Sequence, residues 1–185
     1  MKSFVILFLS LFITGAVYAN HLKGGWIQYE YTGPGATANT SHYRITIRQY
    51  LDCNSTAAQR DLAVNLGIFD GTTLFARYTV PRQGFDKPDK TTYSPCISSP
   101  PPVCYFIDRY VLEVDLPDNT GGYTLTVQRC CRITGIVNVS GNSSTIGISY
   151  TNHIPGVING VNNSSPVFAQ KDTAIVCFNS PFIIH

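Results

Sequence analysis

Hydrophobic and polar residues alternate along several short segments of the chain, with the period of two that indicates a half-buried β-strand. In the segment "HYRITIRQYLDC", residues 42–53, one face carries Tyr43, Ile45, Ile47, Gln49, Leu51 and Cys53. The segment "GGYTLTVQRCCR", residues 121–132, repeats the pattern, and one of its faces carries Tyr123, Leu125, Val127 and Cys131. Cys130 falls on the opposite face, so the two adjacent cysteines are predicted to point in opposite directions.

Six further segments have strand-like patterns, at residues 26–31, 62–69, 74–80, 105–116, 145–153 and 174–178. Turn-forming sequences such as "TGPG", "DG", "PDNTGG" and "SGN" separate several of them. Residues 81–102 and 155–166 are predicted to be irregular. About seven to nine short strands with almost no helical periodicity predict an all-β fold, an antiparallel β-sandwich of Ig-like or jelly-roll-like type.

The composition agrees with this fold class and narrows the range of partners. Only 13% of the residues are charged, and the formal net charge is +2. A nucleic-acid or anionic-membrane partner would require a basic patch, which this charge balance does not supply.

The N-terminus has the features of a secretory signal peptide. Lys2 precedes an apolar run at residues 4–13, and Val17 and Ala19 fit a small-residue cleavage site. We therefore expect residues 1–19 to be removed and residues 20–185 to form a single exported domain. No later segment of about 18 apolar residues follows, so the mature chain is not expected to span a membrane.

All six cysteines lie in the expected mature part, and an even number in an exported chain favours disulfides. The sides of the strands on which the cysteines are predicted to lie favour one set of pairings among the 15 that are possible: Cys53–Cys131, Cys130–Cys177 and Cys96–Cys104. A metal site is the alternative, but no cysteine or histidine pair has ligand spacing. We therefore predict a disulfide-stapled domain with no metal and no cofactor.

Several motifs together resemble a known module. The segments "HLKGGWIQYEY", "YRITIRQYLDC", "SPPPVCYFIDRY", "GGYTLTVQRCCR", "NSSPVF" and "VCFNSPF" occur in this order. They resemble the N-terminal module of large secreted Bacteroidetes proteins, of the gliding-motility-associated or PKD-repeat adhesin type, which often end in a type IX sorting domain. The resemblance implies an adhesin-like protein that is extracellular or at the cell surface and a module without established catalytic residues. The downstream repeats and sorting domain do not follow here, which keeps a periplasmic location open.

The main functional hypothesis is therefore a non-catalytic surface module with an unknown polymer or protein partner. The alternative is a carbohydrate-binding module, in which exposed aromatic rings stack on a sugar; the candidates are Trp26, Tyr29, Tyr31, Tyr105 and Tyr110. The competing interpretation of these rings is that most of them fill the core.

A secreted hydrolase is a third hypothesis. The sequence contains no nucleophile elbow, and its only glutamates, Glu30 and Glu113, lie on separate predicted strands. A calcium site could be built from Asp86 and Asp89, or from Asp115 and Asp118, but neither pair has the expected ligand spacing. We therefore expect no enzymatic activity.

Overall fold

The computed structural model describes residues 22–53, 60–88, 98–99, 104–157 and 161–167. Its strands are antiparallel, and they are β1 (Leu22–Pro34), β2 (Thr40–Asp52), β3 (Ala63–Asp70), β4 (Thr73–Asp86), β5 (Tyr105–Pro117), β6 (Tyr123–Arg129) and β7 (Ile148–Ile154). One 3₁₀ turn, Ser143–Thr145, precedes β7. The predicted all-β antiparallel fold is confirmed, whereas the predicted signal peptide and the predicted strand at 174–178 lie outside the described residues.

The strands form one nearly closed sheet in the order β1-β2-β5-β4-β3-β6-β7. Strand β4 connects the two halves of the sheet, because its first part pairs with β3 and its last part, from Arg82, pairs with β5. A register shift between Arg82 and Gly84 accompanies the change of partner. The result is a sandwich whose two layers are continuous through β4, as in a barrel.

The predicted irregular stretch at 81–102 is wrong at its beginning, because β4 continues to Asp86. Pro81 cannot donate a backbone hydrogen bond, which disfavours it within a central strand. Here it lies where β4 leaves β3 and approaches β5, so the missing donor coincides with the change of partner.

Strands β1 and β7 face each other across the seam of the sheet without forming a backbone ladder. Side chains bridge this seam: Asn152 Nδ2 donates to the carbonyl oxygen of Ile27 at 2.8 Å. Ser165 lies beside β1, where its backbone N–H donates to the Tyr29 carbonyl oxygen at 2.8 Å and its Oγ accepts from the Tyr29 N–H at 2.9 Å. The backbone groups on the edge of β1 that faces β7 thus find their hydrogen-bond partners in individual polar groups and not in a paired strand.

The core is one cluster enclosed by the sheet, and the alternation read from the sequence explains it. In β2, Tyr43, Ile45 and Ile47 are buried, and the alternating residues between them are more exposed. Tyr123, Leu125 and Val127 of β6 contribute to the same cluster. The core-facing sides predicted for β2 and β6 are therefore confirmed. Each fully buried aliphatic side chain stabilises the folded state by about 1.5–3 kcal/mol, so these two faces contribute strongly to the stability of the domain.

Candidate functional site

The outer face of β1, β2 and β5 carries a ladder of charged side chains in register. Glu30 of β1 lies opposite Arg44 of β2, which lies opposite Glu113 of β5. Arg44 Nε is 2.6 Å from Glu113 Oε1, and Arg44 Nη1 is 3.4 Å from Glu30 Oε2. The two glutamates that sequence reasoning left unrelated therefore meet on either side of one guanidinium.

His42 continues this ladder. Its Nδ1 is 2.5 Å from Asp115 Oδ1, and its Nε2 is 3.3 Å from Glu113 Oε2. Only the doubly protonated ring can donate to both carboxylates. The hydrogen bond to Asp115 and the nearby negative charges therefore raise the pKa of His42 above its ordinary value. The pKa of Asp115 is lowered, first by the hydrogen bond from the Ala36 N–H at 2.9 Å and then by His42.

A histidine oriented by an aspartate is one half of the machinery that activates a serine or cysteine nucleophile. In this structure the second nitrogen of His42 faces Glu113 and not a hydroxyl or thiol group. Glu30 and Glu113, the carboxylates considered for glycoside hydrolysis, are both engaged by Arg44. The arrangement is an exposed ion-pair network whose groups neutralise one another.

The five aromatic side chains considered for sugar binding lie in different environments. Tyr29 and Tyr110 are buried in the core, with 5% and 0% of their surfaces exposed, so the core interpretation is confirmed for these two. Tyr31 is partly buried and packs edge-on against Tyr43. These three rings present no common stacking surface.

Trp26 and Tyr105 lie on the outer face, although Tyr105 is itself buried there with 9% of its surface exposed, and both contact Tyr50, which the sequence reasoning did not select. Trp26 Nε1 donates to the Tyr50 hydroxyl at 2.9 Å, and the Tyr50 and Tyr105 ring centroids are 5.8 Å apart. Arg48 lies over the Trp26 ring at 5.1 Å from its centroid. The register with β2 could have identified this group, since Trp26 pairs with Arg48 across the β1–β2 ladder.

A disulfide joins Cys53 to Cys104, with 5.5 Å between their Cα atoms. These cysteines directly continue the β2–β5 ladder beyond its last pair, Asp52 and Tyr105. The predicted pairings of Cys53 with Cys131 and of Cys96 with Cys104 are therefore wrong. The predicted direction of the side chains alone suggested Cys131 as the partner of Cys53, whereas the pairing of β2 with β5 places Cys104 beside Cys53.

The adjacent cysteines Cys130 and Cys131 are bonded to each other, with a cis peptide bond between them. The predicted bridge from Cys130 to Cys177 is therefore wrong. Strand β6 ends at Arg129, so the alternation that would have pointed the two side chains apart no longer applies to them. Cys96 and Cys177 lie outside the described residues.

A buried carboxylate lies in the half of the β2–β5 ladder that ends at the Cys53–Cys104 disulfide. Asp108 is fully buried, and it contacts the guanidinium groups of Arg60 and Arg82, which are themselves mostly buried. Arg60 also lies over the rings of Phe85 and Phe106, at 4.1 and 4.5 Å from their centroids. A buried carboxylate needs such compensation, because desolvation of an unpaired charge is costly.

The same end of the sheet contains a second ion pair and a buried polar group. Asp61 accepts from Arg129 Nε and Nη2 at 2.5 and 2.7 Å, in a bidentate arrangement. The Tyr110 hydroxyl donates to the Asp61 carbonyl oxygen at 3.0 Å, and burial raises the pKa of Tyr110. Gln49 is completely buried, and its Nε2 has no hydrogen-bond partner among the described residues.

A small cavity of about 10 Å³ lies at the opposite end of the sheet, lined by residues that include Tyr43, Asp118, Asn119 and Tyr123. Burial raises the pKa of Tyr43 to about 12. Asp118 Oδ1 accepts from the buried Ser41 hydroxyl at 2.6 Å. Asp118 is the one carboxylate among the described residues that line this cavity.

The calcium sites considered from the sequence are not assembled by the described residues. Asp115 contacts His42 and the Ala36 N–H, whereas Asp118 contacts Ser41, so the two carboxylates serve different groups. No group of three or more His, Cys, Asp or Glu side chains that could hold a metal ion is found within the described ranges. Asp89 lies outside those ranges.

Comparisons of the chain with family models, with curated proteins and with solved structures find no match. Within the described part of the chain, no helix is long and apolar enough to cross a membrane. The disulfides are compatible with an exported protein.

Proposed function

We propose that the chain is an exported, non-catalytic module with an adhesin-like binding role outside the cell or at its surface. The observation that carries this proposal is the outer face of β1, β2 and β5, which we call the ladder face; it comprises Trp26, Glu30, His42, Arg44, Arg48 and Glu113. Its side chains form cross-strand pairs over a sheet surface, and none of them lines the cavity beside Asp118. Charged and aromatic groups in a fixed register favour recognition of a partner surface over chemistry.

The long-range disulfide supports the exported location in this proposal. Disulfides persist in oxidising compartments, and a bridge between distant residues stabilises a domain that must survive there. The resemblance to adhesin modules points in the same direction, and it supplies the class of partner, a surface polymer or protein.

Binding of the exported domain, residues 20–185, to intact bacterial cells and to purified outer-membrane vesicles tests the proposal. The test variant is Glu30→Lys with Glu113→Lys, which reverses the charge on either side of Arg44. The control is Arg77→Glu on β4, an exposed position in the other half of the sheet. We expect the ladder-face variant to lose binding and the control to keep it. Equal binding by both variants, or hydrolysis of a polysaccharide by the wild type, would contradict the proposal.

A carbohydrate partner is the second candidate, favoured by the position of Trp26 on the ladder face with Arg48 over its ring. Aromatic rings stack on the apolar faces of sugars, and loss of the ring removes that contact. Retention on insoluble cellulose, chitin and xylan should fall for Trp26→Ala and stay unchanged for Phe75→Ala, an exposed aromatic on β4. Unchanged retention of Trp26→Ala would exclude this candidate.

A further inference from the structure

The two described disulfides differ in their access to solvent. Cys130 is exposed and Cys131 is half-buried, whereas Cys53 and Cys104 are both half-buried. Thiol–disulfide exchange requires an incoming thiolate to reach one of the two sulfurs. An attacking thiolate can therefore approach Cys130 more readily than either cysteine of the long-range bridge.

They differ as well in what they do for stability. The Cys53–Cys104 bridge spans a sequence separation of 51 residues, so it restricts the unfolded chain. The Cys130–Cys131 bridge joins neighbours in the chain and closes no loop. It cannot stabilise the domain by loop closure, so its role must be local.

The two arginines that flank the vicinal pair in sequence differ in whether their charge is paired. Arg129 is neutralised by its bidentate pair with Asp61. Arg132, which follows Cys131 directly, donates from Nε to the Gly147 carbonyl oxygen at 2.9 Å and forms no ion pair with a described carboxylate. A nearby cation lowers the pKa of a cysteine thiol and so stabilises the thiolate released when a disulfide is attacked.

The vicinal pair is also connected to the seam of the sheet. The Leu22 N–H donates to the Cys131 carbonyl oxygen at 3.2 Å, and the Ile133 N–H donates to the Leu22 carbonyl oxygen at 3.1 Å. These bonds fix the beginning of β1 against the segment that follows β6. A change in the backbone at Cys131 would therefore be transmitted to β1.

We propose that Cys130–Cys131 is a thiol–disulfide exchange site that takes a dithiol reductant, and that its reduction loosens the start of β1. One thiolate of the dithiol attacks Cys130 Sγ, which forms a mixed disulfide and releases Cys131 as a thiolate. The second thiol of the reductant, once deprotonated, then attacks the reductant's own sulfur in the mixed disulfide and releases the Cys130 thiolate. The reductant becomes a disulfide, and the protein gains two electrons and two protons.

Graded reduction of the folded protein with dithiothreitol, followed by alkylation and peptide-mass mapping, tests the proposal. We expect Cys130 and Cys131 to become alkylated at least about tenfold faster than Cys53 and Cys104, while near-UV circular dichroism stays native. Hydrogen exchange should show loss of protection at the Leu22 and Ile133 amides after this first reduction. If all four cysteines react together, and only when the protein unfolds, the proposal is wrong.

Variants separate the charge effect from the effect on folding. Arg132→Gln should slow alkylation of the vicinal pair several-fold, and Arg132→Lys should restore most of the rate. Arg109→Gln, an exposed position on β5, is the control and should leave the rate unchanged. Cys130→Ser with Cys131→Ser should fold and show weakened protection at Leu22 without any reductant. Full protection at Leu22 in that double variant would contradict the coupling to β1. None of these outcomes depends on whether the ladder face binds a partner.

Discussion

The two ends of the sheet are held together by different chemistry. One end, which we call the cysteine end, carries both described disulfides, the buried Asp108 cluster and the Asp61–Arg129 pair. The other, which we call the Asp118 end, is held by hydrogen bonds, such as those from Ser41 to Asp118 and from the Tyr123 hydroxyl to the Pro117 carbonyl oxygen, and by the solvent-exposed His42–Asp115 pair.

Connection length explains the difference. At the Asp118 end the strands are joined by short turns, residues 35–39, 71–72 and 118–122. At the cysteine end the connections are long, residues 53–62, 87–104 and 130–147, and each contains at least one cysteine. Long connections leave more chain entropy to be overcome, so covalent and ionic contacts are concentrated where the loops are long.

The largest expected effect comes from removal of the long-range bridge. Cys53→Ala with Cys104→Ala should lower the free energy of unfolding by about 4 kcal/mol, because the unfolded chain regains the entropy of a loop of about 50 residues. Urea unfolding without reductant measures this difference. Cys130→Ser with Cys131→Ser is the matched control and should cost less than about 1 kcal/mol, since it opens no loop. Equal losses in the two double variants would remove the distinction between the bridges.

The next effect tests the ionic part of the cysteine end. Asp108→Asn keeps the shape of the side chain but leaves Arg60 and Arg82 without their counter-charge. We expect a loss of about 3 kcal/mol in urea unfolding, at the lower end of the range for broken buried pairs because both arginines retain some exposure. Asp86→Asn, an exposed position at the end of β4, should change stability by less than about 0.5 kcal/mol. A small loss at Asp108 would show that the cluster is solvated.

The Asp118 end should be sensitive to backbone geometry instead. Gly122 has φ of +70°, and an added Cβ would overlap the carbonyl oxygen of Ile154. Gly122→Ala should therefore cost about 2 kcal/mol in urea unfolding, from the left-handed backbone and the displaced strand together. Gly71→Ala is the control, because φ is +57° there but the space is open. It should cost only about 1 kcal/mol. Equal costs would mean that the Gly122 turn can shift.

The inward faces of β2 and β6 could be predicted because alternation depends only on residues along one strand. The disulfide partners could not, because they depend on which strands are neighbours. Cys53 follows β2 directly, and its partner follows from the β2–β5 pairing, which local periodicity does not encode. The lengths of the connections were the available signal for the disulfide partners, because the long connections contain the cysteines and lie at one end of the sheet.

The outer-face contacts were missed for the same reason. Glu30 and Glu113 lie far apart in sequence and meet only because β2 places Arg44 between them. Trp26 was selected for its type, but its neighbours Tyr50 and Arg48 were not, because cross-strand register identifies them. The pattern of residue types along single strands therefore predicted the core, whereas the contacts of the ladder face could be predicted only by knowing which strands are neighbours.

The smallest expected effect concerns the Asp118 end, where the stability contributed by the His42–Asp115 pair depends on pH. The pKa of His42 is raised above its ordinary value of 6.5, and that of Asp115 is lowered below 3.8. The pair thus stabilises the fold fully between about pH 3.8 and 6.5. The His42 contribution is lost as the pH rises through its raised folded pKa, and the Asp115 contribution is lost as the pH falls through its lowered folded pKa.

Both groups are solvent-exposed, so the effect should be small and should weaken in 1 M salt. We expect His42→Asn to be less stable than wild type in urea unfolding at pH 5.5 and nearly equal to it at pH 9. His153→Asn, which alters a side chain whose Nδ1 is 3.4 Å from Thr124 Oγ1, is the control and should show no such dependence. A difference between wild type and His42→Asn that persists unchanged at pH 9 would mean that His42 acts by packing. The His42–Asp115 contact would then contribute through its shape, and the charged contribution to the ladder face would come from Arg44 with Glu30 and Glu113.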